Sequence, residues 1–279
     1  MRMFKDFVVP ASLEEARAEL KRLGPEGMAL AGATSLLFLR HKEAKVAVDL
    51  SRAGLSGICR DDGHYVIGAM STISDLRNHR EAGWVLDRAA ARFVTQQIRN
   101  QSTLGGNIVR VFAWADFPVA LLALGAVLTI QGDEMRRVEA DEFFSGQPMR
   151  LFKTGDLLVR VRVPVVQVGE GFGYHKQTRV SADFSQGTAA AWLRVEGGKI
   201  RAARVALGAA TSFPCRLAEV EQVVTGQKGG EKLFREASGQ LGQRTWRSVA
   251  GFAPDYIQHM GRMAVADALQ QAWQEAVKV

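Results

Sequence analysis

Two short stretches of this chain carry residue types that could hold an anion. In Ile98-Arg99-Asn100-Gln101-Ser102-Thr103-Leu104-Gly105-Gly106-Asn107-Ile108, a hydroxyl, two adjacent glycines and an amide stand between a helical pattern and an apolar run. Adjacent glycines remove the Cβ screen, so backbone N–H groups can close on an anion while Thr103 and Asn107 add side-chain donors. The earlier stretch Ala31-Gly32-Ala33-Thr34-Ser35-Leu36-Leu37 has the same chemistry. Either alone reads first as a tight turn, because Gly-Gly and Gly-Ala are ordinary turn formers. As a pair they suit one diphosphate-bearing ligand gripped from two sides. Hydrogen bonds to a charged group contribute roughly 1.5–3 kcal/mol each, so four or five neutral donors can hold a diphosphate without an obligatory lysine.

Other chemistries lack their residues. The patterns Gly-x-x-x-x-Gly-Lys-Ser/Thr, His-Glu-x-x-His and Gly-x-Ser-x-Gly are absent, which removes the usual signatures of P-loop phosphoryl transfer, zinc proteolysis and serine hydrolysis. Gly169-x-Gly171-x-Gly173 precedes a strand pattern instead of following one, so it fails as a dinucleotide fingerprint. The five histidines are scattered, and Cys59 and Cys215 stand far apart without ligand spacing. Neither an iron–sulfur cluster nor a zinc site is expected in this chain, and both cysteines read as reduced structural thiols. The formal charge of +7 raises nucleic acid as a partner. The basic residues are dispersed, however, and a basic face for an anionic cofactor or an acidic protein explains the excess equally well.

The elements that must position the two stretches follow from patterning. A strand at 7–9, a helix from 12 to 23 opened by a Ser12/Glu15 capping box, a strand at 28–31, a helical turn at 36–40 and a strand at 46–50 make a small β-α-β-α-β unit. Next come a hairpin around Asp61-Asp62-Gly63, helices at 74–79 and 86–97, the second glycine stretch and a helix at 118–124 with Asp116 as its cap. Strands at 126–131, 136–139 and 157–163 complete a second α+β lobe. A boundary at 164–171 precedes strands at 173–177, 188–195 and 201–207, with Gly197-Gly198 as a hairpin turn, and helices at 217–224, 231–241 and 256–278. The longest apolar run, 117–130, contains Pro118 and Gly125 and is too short for a membrane span, and no signal-like apolar stretch follows the first residues. A soluble, cytoplasmic protein is expected.

Taken in order, Ala31-Gly32-Ala33-Thr34-Ser35-Leu36-Leu37, Ile98-Arg99-Asn100 with Thr103-Leu104-Gly105-Gly106-Asn107-Ile108, Asp116, the 118–126 helix and Tyr174-His175-Lys176 resemble the FAD-binding (medium) subunit of the molybdenum hydroxylases. That family includes the medium subunit of carbon monoxide dehydrogenase and the FAD domain of xanthine dehydrogenase. The resemblance covers nearly the whole chain. It implies an α+β fold: a two-lobed FAD-binding domain of the vanillyl-alcohol-oxidase (PCMH) type at 1–166, with lobes 1–55 and 56–166. A smaller α+β domain at 172–279 would follow, with a three-stranded antiparallel sheet.

The resemblance also implies roles. Ala31, Gly32, Ala33, Thr34, Ser35 and Leu36, with Thr103, Gly105, Gly106 and Asn107, would wrap the FAD pyrophosphate and ribityl chain through backbone N–H groups and side chains. Asp116 would accept from cofactor hydroxyls, Phe93 would lie against the flavin, and Leu158 and Lys176 would make further contacts. Asp183 would sit in a mobile segment near the electron-accepting face. Each has a plainer local reading: Asp116 as a helix cap, Phe93 as core, Lys176 as a solvated strand charge. Three departures stand out: Ala33 where Gly is frequent, Phe112 and Trp114 where small residues or Pro are common, and Tyr256 without the Arg that usually follows it.

The function implied is electron transfer by a subunit of an FAD-dependent oxidoreductase. It would take electrons from partner iron–sulfur clusters and pass them to NAD, oxygen or a quinone. A molybdopterin-binding large subunit and an iron–sulfur small subunit would be its partners, in a dimer of heterotrimers. Two alternatives remain: a stand-alone FAD oxidoreductase, which would need its own base and substrate cavity, and a basic nucleic-acid-binding protein without cofactor, whose affinity would fall steeply with salt.

Overall fold

The computed structural model describes residues 4–36, 43–180, 182–241, 244–249 and 251–278. The helical turn expected at 36–40 falls outside these residues apart from Leu36. The first lobe comprises β1 (Asp6–Val8), α1 (Leu13–Leu23), β2 (Gly27–Leu30) and β3 (Val46–Asp49), with a parallel sheet in the order β1-β3-β2. Ser12 Oγ accepts the Glu15 N–H at 3.1 Å, and Glu15 reaches back to the Ala11 N–H at 2.8 Å. The capping box therefore forms with its return bond one residue further out. Helix α1 buries Ala16 and Leu20 against Val48 and Leu50, so that β2 ends where the first glycine stretch begins.

The second lobe is a fully antiparallel sheet in the order β4-β5-β8-β6-β7, formed by β4 (Ile58–Asp61), β5 (His64–Gly68), β6 (Val127–Gln131), β7 (Met135–Glu139) and β8 (Leu157–Pro164). Asp62 and Gly63 both have positive φ, +43° and +69°, as a two-residue type I′ hairpin requires. Along β8, Val161 and Val163 point inward while Arg160 and Arg162 point out, the period-2 pattern of a half-buried strand. Helices α2 (Ile73–Asn78), α3 (Asp87–Ala91), α4 (Gln96–Gln101), α5 (Leu104–Val109), α6 (Phe117–Leu124) and α7 (Ala140–Phe143) accompany this sheet. Helix α6 is apolar all round and wholly buried, the centre of the largest core.

Two expectations are corrected here. The helix expected over 86–97 breaks into α3 and α4, because Thr95 caps a new start by accepting the Ile98 N–H at 3.4 Å. The break is held by Arg99, whose guanidinium donates to the carbonyls of Phe93 and Val94, the latter at 2.9 Å. The second glycine stretch is itself helical: α5 starts at Leu104, with Thr103 as its cap.

Residues 165–169 lead into the C-terminal sheet, β9 (Glu170–Gln177), β10 (Gly187–Glu196) and β11 (Lys199–Gly208), with β12 (Cys215–Arg216) as a two-residue fourth strand on the β11 edge. Helices α8 (Ala218–Val224), α9 (Glu231–Gly239) and α10 (Pro254–Ala276) complete the chain's described elements. A Cβ at Gly171 would lie 2.0 Å from the Ala272 carbonyl oxygen, and one at Gly173 would lie 1.9 Å from that of Ala268. The Gly-x-Gly spacing thus serves a strand face on which α10 rests backbone to backbone. Ile257, Ala264, Leu269 and Ala272 are buried, so α10 docks closely without an Arg after Tyr256. The two halves are tied by Arg88, 2.6 Å from Glu275, and by Arg204, which donates to the Leu122 carbonyl at the end of α6 and to Asp141 at 3.0 Å.

Candidate functional site

Strand β2 delivers the first loop onto the segment before the second. A Cβ at Gly32 would stand 1.7 Å from the Gln101 carbonyl oxygen, a proximity only glycine allows. Thr34 Oγ1 lies 2.8 Å from Ser102 Oγ, a direct hydroxyl bond between the loops. Ala33 has φ +57°, the left-handed conformation that its Cβ disfavours. Leu36 N–H returns to the Ala33 carbonyl at 3.1 Å, and among the described residues the N–H groups of Gly32, Ala33, Thr34 and Ser35 find no partner. Backbone donors without a partner at a partly exposed turn are open to water or to an anion.

The second stretch contributes differently from expectation. Leu104 N–H goes to the Ser71 carbonyl at 2.9 Å, Gly105 N–H to Ala69 at 2.8 Å and Asn107 N–H to Thr103 at 3.1 Å, while Gly106 N–H is capped by Thr103 Oγ1 at 3.1 Å. These donors are engaged within the chain, so among the described residues the N–H groups without a partner belong to the first loop. A Cβ at Gly105 would press the Ala69 carbonyl oxygen at 2.8 Å, and one at Gly106, though exposed, would stand 3.0 Å from the capping Thr103 Oγ1 and 3.7 Å from Ala31 Cβ. Asn107 Oδ1 accepts the Phe117 N–H at 3.3 Å and so caps α6.

That cap frees Asp116, whose side chain makes no capping bond. Its Oδ1 stands 3.0 Å from Lys176 Nζ and accepts the Tyr174 hydroxyl at 2.8 Å. Asp116 comes from the first domain, and Tyr174 and Lys176 come from β9, two residues apart and so on one face. All three are buried, which removes the solvated reading of Lys176, and Asp116 stands at the start of α6 without a capping bond from its side chain. A charge taken from water needs its partner, and each member of the ion pair supplies the other's. Burial, and then the Asp116 charge, push the Tyr174 hydroxyl well above its ordinary range, so it remains a donor.

Phe93 and Leu158 are both buried in the large core: Phe93 lies 6.2 Å from the Phe117 ring, and Leu158 pairs with Ile130 across the sheet. Asp183 sits between β9 and β10, its Oδ2 3.0 Å from Arg179 Nε and its Oδ1 accepting the Phe184 N–H at 2.8 Å. These two contacts, the Arg179 bond foremost, hold its carboxyl below the usual carboxylate range. The bulky departures have a structural use. Phe112 and Trp114 stack at 5.1 Å, and Trp114 meets Phe184 at 4.7 Å, linking the segment before Asp116 to the loop after Lys176.

Sequence reasoning missed Ser102 and Tyr174 as members of the site. Tyr174-x-Lys176 on a strand was the available signal for the second. Among the described residues no group of His, Cys, Asp and Glu is arranged to hold a metal ion, and no helix is long and apolar enough to cross a membrane. The free thiols are Cys59, exposed, and Cys215, whose pKa burial raises.

Comparison with known proteins adds a family context. Residues 2–166 match the family described as the FAD binding domain in molybdopterin dehydrogenase, and residues 172–272 match the CO dehydrogenase flavoprotein C-terminal domain. The carbon monoxide dehydrogenase medium chain of Hydrogenophaga pseudoflava is 33% identical over 210 residues, covering 72% of this chain and 73% of the relative. Subunit alpha of the 6-hydroxypseudooxynicotine dehydrogenase complex of Paenarthrobacter nicotinovorans is 32% identical, covering 77% and 76%. Among solved structures, carbon monoxide dehydrogenase from Hydrogenophaga pseudoflava superposes with a TM-score of 0.91 at 29% identity, covering 99% of each chain.

Proposed function

Because this chain belongs to the FAD-binding subunits of the molybdopterin dehydrogenases, the molybdenum hydroxylase family, we propose that it takes electrons from iron–sulfur clusters on a partner chain and passes them to an external acceptor. The partners are a molybdopterin-binding large subunit and an iron–sulfur small subunit, assembled as a dimer of heterotrimers in the cytoplasm, with NAD as the first acceptor to test. Residues 1–166 form the cofactor-binding unit and 172–279 the domain that closes it. When bound, FAD supplies a redox centre that can be filled by single electrons and emptied by a pair.

The residues of this chain bind and orient that group. The N–H groups of residues 32–35 hold the diphosphate, with the Thr34, Ser35 and Thr103 hydroxyls adding to the donor set, while Gly106 keeps the space between the loops open. Asp116 accepts a cofactor hydroxyl and Lys176 balances its charge. Phe93 and Leu158 act from the core beneath. In this reading no side chain of the chain transfers a proton to or from an oxidised substrate, and substrate chemistry belongs to the large subunit. Asp183, paired with Arg179, is given no proton-transfer role in this reading.

The observation that carries this reading is the run of N–H groups at 32–35 without a partner among the described residues, set against Ser102. The test is gentle purification of the native protein with metal analysis. A yellow preparation that copurifies iron and molybdenum in separate chains is expected. A yellow chain that copurifies neither overturns the relay, and a colourless chain unable to take up FAD overturns the cofactor assignment.

A further inference from the structure

The buried meeting of Asp116, Lys176 and Tyr174 assigns a role to a residue outside the expected cofactor contacts. We propose that Tyr174 is a positioning residue: its hydroxyl fixes the Asp116 carboxylate so that the second carboxylate oxygen stays turned toward a hydroxyl of the cofactor. The proposal rests on Asp116 being an FAD contact.

Both neighbours of Asp116 approach the same atom. Tyr174 donates to Oδ1 at 2.8 Å, and Lys176 Nζ stands 3.0 Å from Oδ1, leaving Oδ2 without a hydrogen bond among the described residues. Oδ2 is not among the fully buried unpartnered atoms, so it is open to water, and a ligand hydroxyl can take the water's place as donor. The two neighbours differ in what they impose. Lysine brings charge on a flexible four-carbon stem, which attracts a carboxylate without setting its rotation. Tyrosine brings a directional bond from a rigid ring with two side-chain torsions, and the Tyr174 ring is buried. Its backbone is held as well: the Tyr174 N–H donates to Gln271 Oε1 of α10 at 3.1 Å. With no capping bond to restrain Asp116 from its own helix, the tyrosine hydroxyl supplies the directional constraint on its rotation.

The test is FAD affinity of the apoprotein, read by flavin fluorescence, for the wild type, Tyr174→Phe, Asp116→Asn and the double variant. Wild-type uptake of FAD is the control for the underlying assignment, and its absence overturns that assignment and not this one. Tyr174→Phe keeps the ring and its packing, so a purely structural role predicts wild-type affinity. Positioning predicts a loss of roughly tenfold, the scale of one charge-assisted hydrogen bond. It also predicts that Tyr174→Phe adds nothing in the Asp116→Asn background, because the group then turned toward the cofactor hydroxyl is an amide NH2, which cannot accept from it. Wild-type affinity in Tyr174→Phe, or losses that multiply in the double variant, would overturn the proposal. The thermal transition of each apoprotein verifies that the variants compared are folded.

Discussion

Gly32 packs against the carbonyl oxygen of Gln101 so closely that a Cβ would lie 1.7 Å from it. The two loops of the site are thus in backbone contact, and their separation is fixed by a missing side chain. Gly32→Ala must push them apart and break the Thr34–Ser102 bond. The expected result is destabilisation by at least about 2 kcal/mol together with loss of bound FAD. Gly106→Val acts on the exposed side of the same junction, where backbone is not displaced. It should weaken FAD binding more than tenfold while costing about 1–2 kcal/mol of stability, the scale of the Thr103 cap it crowds. Flavin stoichiometry and denaturant unfolding, measured on both variants, separate the two; normal flavin content in Gly106→Val would show that this junction does not border the cofactor.

Ala33 holds a left-handed φ of +57°. Glycine takes that conformation without the Cβ clash, at the cost of extra freedom in the unfolded chain, so Ala33→Gly should stabilise the apoprotein by about 0.5–1 kcal/mol. Urea unfolding at fixed pH reads this directly, and a destabilised variant would mean that the loop adopts another conformation in solution.

Gly171 and Gly173 seat α10 on β9. Adding a methyl group at either drives a carbon into a helix carbonyl at 2.0 or 1.9 Å, so Gly171→Ala and Gly173→Ala should each cost about 3 kcal/mol or more. Their unfolding midpoints should fall well below that of Gly146→Ala, where a Cβ meets nothing within 4 Å and the backbone is not left-handed.

His175 faces the opposite side of β9 from Lys176, with Nε2 3.5 Å from Asp267. Burial pushes its pKa below the ordinary histidine value, and the Asp267 charge only partly offsets this. With the folded pKa depressed, protons bind preferentially to the unfolded chain. The contribution is present above the unfolded value of 6.5 and is lost as pH falls through the lower, folded value. His175→Gln should flatten that part of the acid limb, visible in thermal midpoints between about pH 7 and pH 5; an unchanged limb would assign it to other groups.

The strands, the long helices and the order of the two lobes were readable because each rests on local patterning: alternation in β8, the capping box of α1, Asp62-Gly63 and Gly197-Gly198 as hairpin turns. The break between α3 and α4 was not, since Arg99 creates it by reaching back to carbonyls that no periodicity marks. The two glycine stretches were recognisable as partners. That the second stretch has its N–H groups engaged depended on Ala69 and Ser71, distant residues whose carbonyls accept from it. The helical reading of Asp116 failed for a similar reason: Asn107 caps α6 across ten positions, and the aspartate is then free to meet a strand from the other domain.

That meeting has a consequence for biosynthesis. Both glycine loops and Asp116 leave the ribosome well before Tyr174 and Lys176, and domains ordinarily fold as units from the N-terminal side. A nascent first domain therefore carries a carboxylate that must remain hydrated until β9 is made and packed against it. A chain arrested near residue 166 would leave the Asp116 carboxylate in water, without the lysine and tyrosine that partner it in the complete fold.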